Sequence, residues 1–132
     1  MCIRDRYRTV AGDDFIIFNG SDEQFLGGRL MGANAGIGGT YGTMPELFAA
    51  LDKMINENRI EEAKKLQYKI NDVIFELLSY ESLYGAAKQV ISHRFGINAG
   101  KPRSPFLEVE YSDRLQKTID KIEKYVSELG EY

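Results

Sequence analysis

The sequence predicts an α/β protein in which two short parallel strands precede a run of helices. Three observations carry that expectation. The stretch FIIFNGSDEQFLGGRLMGANAGIGGTYG, residues 15–42, holds two apolar runs on either side of one short helical sequence. From Thr43 onward, apolar residues recur at helical spacing almost to the end of the chain. The first run, FIIF, is continuous rather than alternating, which is the pattern of a strand covered on both faces. Two such strands cannot make a covered sheet alone. They are therefore expected to be the last strands of a larger sheet whose start is missing.

The chain opens on MCIRDR, which is charged and shows neither a helical nor a strand period. It resembles a leader that recurs on unrelated translations of environmental DNA, so residues 1–6 are expected not to belong to the fold. Cys2, the single cysteine, falls in that leader. One cysteine permits no intrachain disulfide, and a reducing cytoplasm is the expected compartment. No signal-peptide apolar segment is present near the start, and no apolar run approaches the roughly 20 residues needed to cross a bilayer.

DDFIIFNG is the first strand and ends in Asn-Gly. SDEQFLGGRLMGAN follows as a helix, with Ser21 and Gln24 spaced as a capping box, Phe25, Leu26, Leu30 and Met31 on one face, and Gly32 or Asn34 to end it. AGIGG is the second strand. Strand, helix and strand in under 30 residues make a βαβ unit, with parallel strands and a right-handed crossover. Thr43 and Glu46 form a second capping-box pattern, with Pro45 in the first turn where its missing N–H does no harm. Leu47, Phe48, Leu51, Met54 and Ile55 stripe that helix. Asn58 and Glu61 open the next, in which Ala63, Leu66, Ile70, Val73, Ile74 and Leu77 keep the period to about Ser79. A further helix spans about Ser82 to Arg94, with Leu83, Ala87, Val90 and Ile91 apolar. GINAGKPRSPF is a loop, and Ser112 caps a last helix bearing Leu115, Ile119, Ile122, Val126 and Leu129.

Net charge is −3, with both signs interspersed and no basic stripe, which argues against nucleic acid as a partner. Four features are candidates for chemistry. Asp22 and Glu23 fall at a strand's carboxyl end and a helix's amino end, the edge where parallel α/β folds place their sites. Two fixed carboxylates suit the binding of several hydroxyls, each by a charge-assisted hydrogen bond. Acidic residues in a helix's first turn are favoured by the dipole whether or not they bind anything. GIGGTYG, residues 36–42, allows close backbone approach to a ligand, but it equally suits a tight turn, and no G-K-[ST] follows to make a P-loop. His93 has no second His or Cys to join it as a metal ligand, so no metal site is expected. Lys88 lies in mid-helix, far in sequence from the strand ends, and is read as a structural lysine.

In combination, FNGSDEQFLGGRLMGANAGIGGTYGTMPELF, AKKLQYKINDVI, LYGAAKQVI and GINAGKPRSPF resemble the N-acetylneuraminate lyase and dihydrodipicolinate synthase superfamily, over residues 8–126. These are pyruvate-dependent class I aldolases on a (β/α)8 barrel with extra C-terminal helices. The resemblance implies that residues 7–58 are the last two βα units of a TIM barrel and that 59–132 are a three-helix C-terminal extension. G-x-D-E followed by I-G-[SG]-T-Y is most similar to the N-acetylneuraminate lyase branch, where the glycine carbonyl and both acids bind the hydroxylated tail of sialic acid. By position these are Gly20, Asp22 and Glu23. A serine of that branch is replaced by Gly39, where only the backbone could contact a sugar. Ser21 stands where relatives often carry an aromatic residue, and Gly42 where some carry asparagine.

The implied reaction is reversible cleavage of N-acetylneuraminate to pyruvate and N-acetylmannosamine through a lysine imine. The family's Schiff-base lysine lies on the sixth strand and its tyrosine proton shuttle earlier still. No catalytic residue is therefore expected within this chain, which alone is expected to be inactive. No cofactor and no metal are implied. The implied partner is a small sugar acid, with no membrane and no nucleic acid, and the whole enzyme is expected to be a homotetramer. Dihydrodipicolinate synthase or another 2-keto acid aldolase is the alternative within the superfamily. The acid pair argues against the synthase, whose aldehyde substrate carries its own negative charge. A non-catalytic helical module is a third reading, because the last helix's four-three spacing could seat a partner helix.

Overall fold

The computed structural model describes residues 2–131, with side chains from Arg6 to Gly130. In chain order the elements are α1 (Cys2–Ala11), β1 (Phe18–Asn19), a 3-10 turn (Asp22–Gln24), α2 (Phe25–Leu30), β2 (Ala35–Gly36), a second 3-10 turn (Tyr41–Thr43), α3 (Pro45–Asn56), α4 (Ile60–Leu78), α5 (Leu83–Phe95) and α6 (Asp113–Ser127), closed by a 3-10 turn over Glu128–Glu131. The protein is thus α/β, with a helical majority and two parallel strands. The strands pair Phe18 with Ala35 and Asn19 with Gly36.

The opening segment departs from expectation. Residues 2–11 form a helix although MCIRDR shows no period. Met1 and the Cys2 side chain lie outside the described residues. α1 is tied to the β2 approach by Arg8, whose Nη2 donates to the Gly32 carbonyl at 2.9 Å and to Asn34 Oδ1 at 2.6 Å. The same Asn34 oxygen accepts from the Ile17 amide at 2.9 Å, so a side chain stands in for a strand partner there.

The strand run is covered on one face only. Alternate residues turn inward to the helices: Ile17 and Asn19 are buried, and the α-carbon of Gly36 abuts the Phe25 and Tyr41 rings. On the opposite face Ile16, Phe18 and Ile37 are 64%, 55% and 67% exposed. The expectation that FIIF is covered on both sides is met on neither Ile16 nor Phe18 within this chain.

α2 is shorter than the sequence suggests. Phe25 is buried, but Leu30 and Met31 are exposed because the helix stops at Leu30 and Gly32 takes a φ of +92°. The Ser21 capping box does not form. The Gln24 amide that it would cap already donates to the Ser21 carbonyl at 3.0 Å, closing a tighter 3-10 turn. The second box fails too, since the Thr43 hydroxyl donates back to the Thr40 carbonyl at 2.7 Å. Asn58 closes α3 rather than opening α4, with a φ of 59° while the Arg59 amide reaches the Met54 carbonyl at 2.8 Å. Ser82 and Ser112 do cap α5 and α6, accepting from the Gly85 and Leu115 amides.

The core is built by the helical stripes. Leu47, Phe48, Leu51 and Met54 of α3 meet Ala63, Leu66, Ile70, Val73, Ile74 and Leu77 of α4. Val90 of α5 and Leu115, Ile119 and Ile122 of α6 complete it. Three of the five α6 stripe residues, Leu115, Ile119 and Ile122, are therefore buried inside this chain, with Val126 and Leu129 packed against the same core, which argues against the helical-module reading. Arg94 pins α5 in place: its guanidinium, with the side chain 2% exposed, donates to the Thr43 carbonyl and bridges to Glu46 on α3 and Glu123 on α6. Among the described residues no helix is long and apolar enough to cross a membrane.

Candidate functional site

The acidic turn and the glycine turn meet at the carboxyl ends of the two strands. Asp22 joins them. Its Oδ2 accepts from the Thr40 amide at 2.8 Å and from the Thr40 hydroxyl. Its Oδ1 lies over Gly38, where a Cβ would come within 1.6 Å of that oxygen. Gly38 is thus required by the close approach of the carboxylate, and Asp22 is buried. One of its oxygens is committed to the fold. Oδ1 accepts no hydrogen bond among the described residues.

Glu23 follows on the same 3-10 turn, exposed, and its carboxylate accepts no hydrogen bond among the described residues. Gly20 and Gly39 are both exposed, one at each strand end. All four residues singled out from the sequence therefore stand on one edge. Two carbonyls, one carboxylate oxygen and one free carboxylate could accept hydrogen bonds there from a polyhydroxylated ligand.

The turn is propped from α4 by two side chains that sequence reasoning did not single out. Gln67, buried in the α4 stripe, accepts from the Leu26 amide at 2.9 Å and donates to the Asp22 carbonyl at 3.3 Å. Its Nε2 also reaches Asn71 Oδ1 at 2.8 Å, and Asn71 donates to the Glu23 carbonyl at 3.2 Å. A glutamine flanked by Leu66 and Ile70 was the available signal: a polar residue on an apolar stripe must find partners.

Tyr41 is a further residue that the sequence did not single out. Its ring stacks on Phe48 at 4.1 Å and meets Phe25 edge-on at 5.9 Å. Among the described residues its buried hydroxyl, against Gly36, makes no hydrogen bond within geometric limits, and neither does Oδ1 of the fully buried Asn19. Burial, then the neighbouring Asp22 charge, pushes the Tyr41 phenol up to about 12. It is held as a neutral group beneath the acidic turn.

His93 is exposed and stacks on Tyr111 with ring centres 4.1 Å apart. Lys88 donates to the Ala99 carbonyl at 2.6 Å and so fastens the loop after α5. Neither reaches the strand ends. Among the described residues no three His, Cys, Asp or Glu side chains gather as a metal site.

A parallel strand pair with an acidic turn and a glycine turn at its carboxyl edge, backed by a helical core, defines a class: α/β proteins whose candidate ligand site lies at the strand tips. The comparisons with known proteins specify it. Residues 3–124 match the dihydrodipicolinate synthetase family, and the chain belongs to that family. The N-acetylneuraminate lyase of Mediterraneibacter gnavus is 43% identical over 100 residues, 75% of this chain and 32% of that protein. The solved Ruminococcus gnavus sialic acid aldolase superposes with a TM-score of 0.84 at 34% identity, over 98% of this chain and 43% of that one. A Sulfolobus solfataricus 2-keto-3-deoxygluconate aldolase variant shares the fold, with a TM-score of 0.77 at 23% identity over 96% of this chain and 42% of its own. The chain spans about a third of the length of the curated relatives it matches.

Proposed function

We propose that this chain is the C-terminal portion of a class I aldolase that reversibly cleaves N-acetylneuraminate to pyruvate and N-acetylmannosamine. In this reading residues 7–58 are the last two βα units of a (β/α)8 barrel, and residues 59–132 are a helical extension that braces them. The observation that carries it is the Asp22–Thr40 link, which sets Glu23, Asp22 Oδ1 and the Gly20 and Gly39 backbones around one bay at the strand tips.

The division of labour follows from which groups are here. The imine-forming lysine lies outside these residues. It condenses with the substrate ketone, and the protonated imine accepts the electron pair of the breaking C–C bond while a base takes the proton from the hydroxyl whose carbon becomes the aldehyde; protonation and hydrolysis of the enamine then release pyruvate. The residues of this chain hold the far, hydroxylated end. Charge-assisted bonds from substrate hydroxyls to Glu23 and Asp22 would fix the sugar chain so that the scissile bond lies at the imine. The whole enzyme would work as a cytoplasmic homotetramer.

Two observations favour sialic acid over a smaller keto acid: the lyase of Mediterraneibacter gnavus at 43% identity, and the exposed carboxylate of Glu23 beside a second acid. The 2-keto-3-deoxygluconate aldolase likeness supports the fold alone. For dihydrodipicolinate synthase, the acids would repel an anionic aldehyde.

The test is pyruvate release by the full-length enzyme containing this segment, with N-acetylneuraminate and 2-keto-3-deoxygluconate compared. The expected result is a higher kcat/KM for N-acetylneuraminate, and no release by the 132-residue chain alone. Preference for the shorter acid would transfer the assignment to the alternative aldolase. Release by the chain alone, at a rate like that of the intact enzyme, would place the lysine within it.

A further inference from the structure

We propose that Tyr84, carried by α5, donates a hydrogen bond to a substrate hydroxyl beside Gly39 and so sets the length of sugar chain that the site prefers. This rests on the aldolase reading above.

A Cβ at Gly39 would stand 3.0 Å from the Tyr84 Cε1 atom and 3.7 Å from both its Cζ and its hydroxyl oxygen. The phenol edge therefore occupies the volume into which a side chain at position 39 would project. The strand-tip residue offers only backbone there, and the helical extension fills the space with a hydroxyl instead.

That hydroxyl is available and its position is defined. Tyr84 is 43% exposed, and its hydroxyl has no hydrogen-bond partner among the described residues. The ring is braced edge-on by Phe106, with centres 4.7 Å apart. Further along α5, Arg94 holds the carbonyl of Thr43, at the end of the turn that follows Gly39. The distance between phenol and glycine turn is thus set by packing at both ends of the helix.

The chemistry of the bay gives the phenol a distinct task. Glu23, Asp22 Oδ1 and the Gly20 carbonyl can only accept hydrogen bonds from an alcohol. Each alcohol so held has an oxygen left to be satisfied. The Tyr84 phenol O–H is a side-chain donor at the Gly39 end of this edge, and it meets the hydroxyl that lies over Gly39. A long polyol reaches that point and a short one does not.

The experiment uses the full-length enzyme and two substrates, N-acetylneuraminate and 2-keto-3-deoxygluconate. Tyr84→Phe keeps the ring and removes the donor. Its kcat/KM for N-acetylneuraminate is expected to fall about five- to tenfold, mainly through KM, and the preference over the shorter acid to fall with it. Gly39→Ala places a Cβ against the ring and is expected to give a similar loss. Because both changes disable one contact, the double variant should lose no more than the worse single variant. An unchanged substrate preference in Tyr84→Phe, or losses that multiply in the double variant, would overturn the proposal. Wild-type enzyme that cleaves neither acid would instead overturn the aldolase reading beneath it.

Discussion

At the residue scale, the acidic turn depends on side chains that never touch the bay. Gln67 satisfies the Leu26 amide and the Asp22 carbonyl from a helix 41 and 45 residues away in sequence. Gln67→Ala leaves both groups without that partner, at a cost of about 1–3 kcal/mol. The check is the denaturant midpoint: a fall with unchanged m-value is expected, and an unmoved midpoint would show the prop to be idle. Tyr41 gives a pH dependence of defined sign. Its ordinary pKa of 10.0 is raised to about 12 by burial and by Asp22, so the folded chain holds the phenolic proton more tightly than the unfolded chain. The stability it contributes is whole below about pH 10 and is lost as pH rises towards 12. Tyr41→Phe should flatten the stability curve across that window, and an equal slope in the variant would assign the loss to other groups. Gln67 and Tyr41 also mark the limit of sequence reading. The strand-tip acids were visible because polarity breaks sharply after FIIFNG, whereas a side chain's long-range partner leaves no local pattern.

At the element scale, legibility followed whether an element's stability is internal. The α4 stripe from Ala63 to Leu77 was readable because each member faces one core, and every one of those residues is buried. Ser82 and Ser112 were readable as caps because an extended serine before a helix has one obvious amide to satisfy. Ser21 and Thr43 carry the same signal and fail, because neighbouring 3-10 turns take the relevant groups first. The α1 helix escaped notice because it is held by Arg8 to Gly32 and Asn34 rather than by an apolar stripe of its own. The α5 interface offers the most direct test at this scale. A Cβ at Gly85 would lie 2.4 Å from the Leu107 carbonyl oxygen and 3.0 Å from the Val109 amide nitrogen, both backbone atoms that cannot rotate away. Gly85→Ala should therefore force α5 and the 96–112 segment apart, at a cost of about 1–3 kcal/mol. Equilibrium unfolding measures it, and wild-type stability in the variant would mean that the segment yields freely.

At the scale of the whole molecule, the uncovered strand face dominates behaviour in water. Ile16, Phe18 and Ile37 line it, more than half exposed, beside unpaired strand edges. Contiguous apolar surface of this kind promotes association. Purified alone, the chain is expected to self-associate as its concentration rises, and Ile16→Thr with Ile37→Thr to reduce this, as read by light scattering. A sharp monomeric species from the unsubstituted chain would contradict the expectation. The continuous FIIF run announced a strand made for two covered faces, and among the described residues only the face bearing Ile17 and Asn19 is covered.

The bond from Asp22 to Thr40 spans only 18 positions, and its prop at Gln67 and its neighbour Tyr84 come from the same stretch of chain. On the aldolase reading proposed above, the groups that grip one end of a ligand would be inherited as a single cassette, apart from those that break the bond. A family with that arrangement can change what it recognises by exchanging one contiguous piece of gene, leaving the reaction centre untouched.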